Sequence, residues 1–283
     1  MTTQQDYNSR IVPTWCPGCG NFGVWSALKN AFTRLNFTKD DVCMVYDVGC
    51  SSNMADFLST YGIHGLHGRA ISTAIGVHLA HHQFPVVAIG GDGGLYGEGV
   101  EHFIEAVRGN FNITAIVHNN RLYSLTTGQR SPVAFQGAKT KSTPFGVIEI
   151  PFQPLKTAVL HDAGFVARGF AVDPQQLTDL IEAAIKHKGF SLVEVLQPCP
   201  SFNKDMDVAW YKERIHKLEN GNGLSKDEAL KVLDEEPEKL ATGVIYKSNR
   251  PAYSSFLPQL KTTPLLNQSI EMIDIGELVA SFK

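Results

Sequence analysis

The sequence predicts an α/β fold, a parallel sheet with helices on both faces, and three observations predict it. Apolar runs of strand length alternate with stretches of helical periodicity as far as residue 196. Two of those runs, Val86–Ile89 and Ile113–Val117, are short and continuously apolar, as buried strands are. Hydrophobic residues make up 43% of the 283 and glycines number 25, enough to bury a core without staples.

Taken in order, residues 1–20 read as irregular and end in the turn-rich Cys16-Pro17-Gly18-Cys19-Gly20. Phe22, Trp25, Leu28 and Phe32 then fall at helical spacing and predict one apolar stripe. Val42 to Val48 reads as a strand that Gly49 ends. Ala70 to His82 reads as a helix with Ile71, Ala74, Ile75, His78 and Leu79 on one side, stopped by Pro85. Strand Val86–Ile89, a helix marked by Val100, Phe103, Ile104 and Val107, and strand Ile113–Val117 follow. Phe165–Phe170 and Leu192–Leu196 are two further strands. Between them, Asp173 predicts an N-cap, Pro174 the first helical position, Gln176 the N3 of a capping box and Gly189 the stop.

Composition changes near residue 203. From Lys204 to Lys239, 17 of 36 positions are charged. A capping box, Ser225 to Glu228, opens a helix carrying Ala229, Leu230, Val232 and Leu233. Clear periodicity returns only over Ile270–Phe282. The division expected is therefore a domain over residues 1–202 and a C-terminal arm over 203–283, packed on the domain and on a neighbour.

The charge balance excludes some classes. Lys plus Arg is 25 and Asp plus Glu is 28, so the net charge is −3, and neither a nucleic-acid nor a membrane binder is expected. Met1 to Arg10 is polar with no apolar core of a leader, so the cytoplasm is the expected location. Charged residues are 19%, below the usual value of about 25%, which hints at surface covered by a partner.

In parallel sheets ligands bind beyond the carboxyl ends of the strands. The strand at Val86 runs into Gly90-Gly91-Asp92-Gly93-Gly94, and the one at Ile113 into His118-Asn119-Asn120. Asp92 and Asn120 are 28 residues apart, room for one helix, and stand at one edge of the sheet. A hard cation such as Mg2+ takes one or two oxygens from side chains and the rest from phosphate and water. The glycines let backbone N–H groups approach a diphosphate. Gly-Asp-Gly alone is most often a tight turn. With the strand context and the following Asn, the pattern matches the thiamine diphosphate signature. No Gly-Lys-Ser/Thr follows, which excludes a P-loop, and a dinucleotide fingerprint would lack its third glycine, with Tyr96 in its place.

Cys16 and Cys19 form a C-x-x-C, while Cys50 and Cys199 each follow a strand. Parallel strands would bring Cys50 and Cys199 to the edge that carries Asp92. The four then suit structural zinc, a 4Fe–4S cluster or a redox dithiol, or are buried small hydrophobes. Proline beside Cys16 and Cys199 tilts the balance toward iron–sulfur. Cys43, inside a strand, reads as a core residue. His64, His67 and Arg69 cluster in a Gly-rich loop. His67 is a candidate for cofactor contact and Arg69 for an anionic group, while His78, His81 and His82 read as ordinary helix residues. Glu98, Glu101 and Glu105 read as first-turn or exposed helix residues.

The ordered set Trp15-Cys-Pro-Gly-Cys-Gly20, Gly49-Cys-Ser-Ser52, Tyr61 to Arg69, Gly91-Asp-Gly-Gly94, Asn119 to Gln129 and Cys199-Pro-Ser-Phe-Asn203 resembles the beta subunit of 2-oxoacid:ferredoxin oxidoreductases. The resemblance covers about residues 11–255 and implies a pyrophosphate-binding type of thiamine fold with a C-terminal extension. It implies that Cys16, Cys19, Cys50 and Cys199 hold a 4Fe–4S cluster. Asp92, Asn120 and the carbonyl of Leu122 would hold magnesium. Gly49, Cys50, Ser51, His67, Gly91, Gly93, Gly94, Tyr123, Ser124, Leu125 and Thr126 would line thiamine diphosphate. The implied reaction is reversible, coenzyme A-dependent oxidative decarboxylation of a 2-oxoacid, with electrons passing to ferredoxin. An alpha subunit would supply the catalytic Glu and the coenzyme A site, in an (αβ)2 assembly.

The loop Leu125-Thr-Thr-Gly-Gln129 looks more like 2-oxoglutarate than pyruvate variants, although many of the former carry Lys where Thr127 stands. Thr127 and Arg130 are the candidate substrate residues, Arg130 as the replacement cation. The competing readings are a non-redox thiamine lyase or decarboxylase with structural zinc, and a non-catalytic metal-binding subunit.

Overall fold

The computed structural model describes residues 2–219, 221–269 and 274–282. In chain order the main elements begin with α1 (Asn21–Arg34), β1 (Cys43–Tyr46), β2 (Tyr61–His64), α2 (Ala70–Ala80) and β3 (Val86–Gly91). Then come α3 (Val100–Gly109), β4 (Thr114–Asn119), β5 (Leu122–Tyr123), β6 (Gln129–Arg130), α4 (Pro154–Leu160) and β7 (Phe165–Phe170). The chain continues through α5 (Pro174–Lys186), β8 (Ser191–Leu196), α6 (Val208–Arg214), β9 (Ile215–Lys217), α7 (Lys226–Leu233), β10 (Leu240–Lys247) and α8 (Gly276–Ala280).

Eight strands form one sheet in the order β2-β1-β3-β4-β8-β7-β10-β9. Every pairing is parallel except β10 against β7. Alternate strand residues feed two cores. Val45, Ala88, Ala115 and Leu192 face α2, α3, α4 and α7. Met44, Val87, Ile116 and Val193 face α1 and α5. Helices therefore cover both faces, as the alternating pattern requires.

Three local readings differ from the structure. Helix α1 buries Val24, Ala27, Leu28, Ala31 and Phe32, so its core stripe is rotated from the aromatic one. Alanines let α1 lie close to α5, while Phe22 turns edge-on to Trp15, 5.2 Å between ring centroids. The N-cap of α5 forms through Asp173, which accepts from the Gln176 N–H at 3.2 Å. Its reciprocal arm does not form, because the Asp173 N–H donates to the Phe170 carbonyl at 2.9 Å, while the Gln176 NH2 donates to Thr242 Oγ1. Third, the sheet runs through the change in composition: β10 is buried from Leu240 to Tyr246 and lies between β7 and β9. The charged stretch before it is the solvated outside of α6 and α7. The expected periodicity over Ile270–Phe282 falls partly on 270–273, outside the described residues. Among the described residues, no helix is long and apolar enough to cross a membrane.

This topology positions the site. β1, β3, β4 and β8 are consecutive parallel neighbours. Their carboxyl ends deliver Asp47 and Cys50, Asp92, Asn120, and Gln197 with Cys199 to one edge.

Candidate functional site

One pocket at that edge is walled by Val48 to Ser51, His67, Gly91 to Gly94, His118, Asn120, Leu122 to Thr126, and Gln197. The structure thus brings together Gly49, Cys50, Ser51, His67, Asp92, Asn120, Leu122 and the Tyr123–Thr126 loop. Asp92 is 1% exposed. Its Oδ2 accepts from the Ser131 hydroxyl, and its Oδ1 from the Asn120 N–H at 3.4 Å. Neither partner carries a charge. Burial therefore pushes the carboxyl up to about 7, against the lowering pull of those hydrogen bonds. Arg121 acts on it only from a distance, so a carboxylate buried this way lacks a bonded cation, and a divalent ion would supply one. Asn120 Oδ1 accepts from the Leu122 N–H at 3.0 Å, an Asx turn that holds the amide oxygen at the pocket floor. Two further wall atoms, Ser124 Oγ and His118 Nε2, are buried without a partner. These orphaned groups and the glycine-lined floor fit a diphosphate and its metal.

Asp47, which carries no sequence signal, lies fully buried at the end of β1. Its Oδ1 accepts the Gly68 N–H at 2.5 Å, and its Oδ2 stands 3.2 Å from His67 Nδ1. Burial raises its pKa, with His67 pulling the other way. A Cβ at Gly94 would collide with Asp47 Oδ2, so only glycine lets the two strand ends approach. Glu98 is no mere helix surface residue: its Oε2 is 3.8 Å from His67 Nδ1 and accepts from the Tyr123 hydroxyl at 3.2 Å. The Nδ1 atom of His67 is covered while its side chain is 37% exposed, so the open part of the ring is the Nε2 side.

Arg69, expected to meet an anionic group, does not line the pocket. It turns to the start of α3, 2.9 Å from His102 Nε2 and within reach of the Glu98 carbonyl. His64 sits on the exposed strand β2 against Tyr46. Arg130 is engaged by Glu149. The cation beside Thr127 is Lys141, whose Nζ lies 3.3 Å from Thr127 Oγ1. No sequence pattern announces that loop-to-loop contact.

A second cavity, about 200 Å3, is lined by Cys16, Cys19, Cys50 and Cys199, with Trp15, Phe202 and their neighbours. Cys50, Asn120, Ser124, Leu125 and Gln197 wall both cavities. Trp15 Nε1 donates to the Cys50 carbonyl at 2.7 Å, tying the first cysteine loop to the end of β1. Burial pushes Cys19 and Cys50 up to about 11, and each is raised further by its cysteine neighbours. A cationic centre bound in the cavity would draw the proton from both of these thiols. Among the described residues, no three of Cys, His, Asp and Glu are grouped to hold a single metal ion. Four cysteines lining one cavity are the donor set that structural zinc or a 4Fe–4S cluster takes. Cys43 lies in the core, its thiol pushed up to about 11 by burial, apart from that cavity.

Fold and pocket together define a thiamine diphosphate-binding domain. Residues 47–195 match the family described as thiamine pyrophosphate enzyme, C-terminal TPP binding domain. Residues 199–262 match the family of C-terminal regions of the pyruvate ferredoxin oxidoreductase beta subunit. The chain is 42% identical over 233 residues to the 2-oxoacid:ferredoxin oxidoreductase subunit beta of Saccharolobus solfataricus, covering 82% of this chain and 76% of that protein. It is 37% identical over 249 residues to the 2-oxoglutarate synthase subunit KorB of Archaeoglobus fulgidus, covering 83% and 93%. The 2-oxoglutarate:ferredoxin oxidoreductase from Magnetococcus marinus, solved with 2-oxoglutarate, coenzyme A and succinyl-CoA bound, superposes with a TM-score of 0.91 at 32% identity, covering 100% of this chain and 96% of that one. The chain belongs to the beta subunits of the 2-oxoacid:ferredoxin oxidoreductases, and the subunit-beta naming of its relatives implies an alpha partner.

Proposed function

We propose that the chain is the cofactor-binding and electron-accepting half of an enzyme that converts 2-oxoglutarate and coenzyme A to succinyl-CoA and CO2. Two electrons leave one at a time for two ferredoxins, one proton is released, and the reaction is reversible. The observation that carries this reading is the common wall of the thiamine pocket and the cysteine cavity, formed by Cys50, Asn120, Ser124, Leu125 and Gln197. A lyase needs no electron carrier there.

Asp92, Asn120 and the Leu122 carbonyl would hold Mg2+. Gly49 to Ser51, His67, Gly91, Gly93, Gly94 and Tyr123 to Thr126 would cradle thiamine diphosphate, which when bound supplies the electron sink for decarboxylation. Cys16, Cys19, Cys50 and Cys199 would hold a 4Fe–4S cluster, a one-electron carrier. Asp47 and Glu98 stand on the Nδ1 side of His67, which leaves the open Nε2 side of the ring for the cofactor. The Ser124 hydroxyl is free to bond a pocket oxygen.

Thr127 lacks a charge, and Arg130 is spent on Glu149. Lys141 supplies the cation at Thr127 and would meet the distal carboxylate of 2-oxoglutarate. Pyruvate, which has no second carboxylate, is the next candidate. The alpha partner would bring the catalytic Glu and the coenzyme A site, in an (αβ)2 enzyme of the cytoplasm.

The test is ferredoxin reduction by the complex with its native alpha partner, with 2-oxoglutarate or pyruvate and with or without coenzyme A. Coenzyme A-dependent reduction, faster with 2-oxoglutarate, is expected. CO2 release without ferredoxin reduction would instead make this a non-redox lyase.

A further inference from the structure

His118 lies at the end of β4, 1% exposed, between the two cavities. Its Nδ1 is 2.8 Å from Asn21 Oδ1 and 2.7 Å from Gln197 Oε1. Each amide has a second engagement. Asn21 Nδ2 donates to the Cys50 carbonyl at 3.1 Å, and Gln197 Nε2 points at Cys19 Sγ, 3.9 Å away. The far partners fix both amides. A carbonyl oxygen accepts only, and a thiolate accepts only, so each must be met by NH2. Both amide oxygens then face Nδ1, which must carry the proton. That leaves Nε2 as a lone-pair acceptor, and this atom is buried, unpartnered and in the wall of the thiamine pocket.

Gln197 itself is 2% exposed and has no freedom to leave. Its N–H donates to the Asn119 carbonyl at 3.0 Å, and its Cγ packs against Gly20, where any Cβ would collide with it.

We propose that His118 and Gln197 form a hydrogen-bonded bridge from the thiamine pocket to the cluster, in which Gln197 tunes the cluster's reduction potential through the Cys19 thiolate. The inference rests on the iron–sulfur reading of the cysteine cavity. A hydrogen bond to a ligand sulfur withdraws charge from it and favours the reduced cluster. An occupant that donates to His118 Nε2 polarises the ring, strengthens the Nδ1–H donation to Gln197 Oε1 and with it the Gln197 NH2 donation to Cys19 Sγ, and so reports pocket occupancy to the cluster. Gln197 is a positioning residue and touches neither reacting atom.

The test is an EPR-monitored redox titration of the complex with its native partner, for the unsubstituted protein and for Gln197→Leu and Gln197→Glu, each with and without thiamine diphosphate and Mg2+. Iron, sulfide and thiamine content of each variant reports assembly. Both variants are expected to be harder to reduce, by about tenfold in the equilibrium with a fixed mediator, which is about 59 mV for one electron. The potential of the unsubstituted protein should also move on loading with thiamine diphosphate, and that of Gln197→Leu should not. Loaded variants with unchanged potentials overturn the bridge alone. An unsubstituted protein with no reducible cluster overturns the iron–sulfur reading and the bridge with it. Should Gln197→Leu fail to assemble, Gln197→Glu decides: its carboxylate keeps the shape and removes the donor.

Discussion

Two buried polar regions lie against the same sheet and differ in how their charges are met. In one, Arg168 on β7 donates from Nε to Glu194 at 2.8 Å and pairs through Nη1 with Glu236 at 2.7 Å. Glu194 also accepts from Asn119 at 3.0 Å, and Arg121 lies over the Phe135 ring with Glu236 3.8 Å away. Burial alone would lower the Arg168 pKa, but Glu236 and Glu194 reverse that and raise it. In the other region, Asp92 is hydrogen-bonded by two neutral donors and feels the Arg121 charge only from a distance, and Ser124 Oγ and His118 Nε2 have no hydrogen-bond partner. A buried charge that is paired holds the fold, whereas one left short is waiting for a ligand. The difference lies in the charges: the Arg168 cluster meets its own, while Asp92 has only neutral hydrogen-bond donors.

The sharpest way to break that comparison is to orphan a paired charge. Arg168→Met should cost about 3–5 kcal/mol in urea unfolding, because Glu194 stays buried and alone. Thiamine diphosphate affinity of the folded fraction should be unchanged, and Arg168→Met with Glu194→Leu should recover most of the loss. The converse substitution is Asp92→Asn, which removes a charge the apo fold does not compensate. It should leave the fold standing while magnesium-dependent thiamine diphosphate binding, measured by calorimetry, weakens by at least about 100-fold, the upper range for losing a ligand's supporting partner.

The comparison extends to the pocket rim, where charges are exposed and worth less. Lys141→Ala should lower the 2-oxoglutarate to pyruvate ratio of kcat/KM a few-fold, the equivalent of about 1 kcal/mol for an exposed charge contact. Thr127→Lys should raise that ratio, and if neither change moves it, this loop does not set specificity. An effect of similar size is expected at His78, a buried imidazole on α2. Burial lowers its pKa to about 4, with His82 and Lys188 adding to the effect. The folded pKa lies below the unfolded one, so the unfolded chain takes the proton first as pH falls. Its share of stability is therefore present above about 6.5 and is lost progressively toward about 4. Between pH 7 and 5.5 that amounts to about 1 kcal/mol, and His78→Gln should flatten the slope by that amount.

Much of this edge was legible in the sequence because its signals are local. Gly91-Asp92-Gly93 and Asn120 each follow a strand, and the four cysteines sit in loops whose place the strands determine. Asp47 carried no such mark. One aspartate after a strand is ordinary, and its burial depends on Gly68 and Gly94, which only the folded chain brings to it. Lys141 meets Thr127 through two loops, and Arg69 is drawn off by His102, neither of which periodicity reports. Gln197 stood in plain view before Pro198-Cys199, but its reach to His118 and Cys19 is a matter of rotamer. β10 had a readable signal in Val244-Ile245-Tyr246. The charged residues ahead of it, which belong to the solvent faces of α6 and α7, hid its place in the sheet.

The central claim is that one chain holds thiamine diphosphate and an electron-carrying cluster on either side of a common wall. The most direct measurement is iron, acid-labile sulfide and thiamine diphosphate per chain, on anaerobically purified protein with its native partner. About four iron and four sulfide are expected, the content of one 4Fe–4S cluster, with thiamine diphosphate at parity with the chain. Zinc without labile sulfide would contradict that claim.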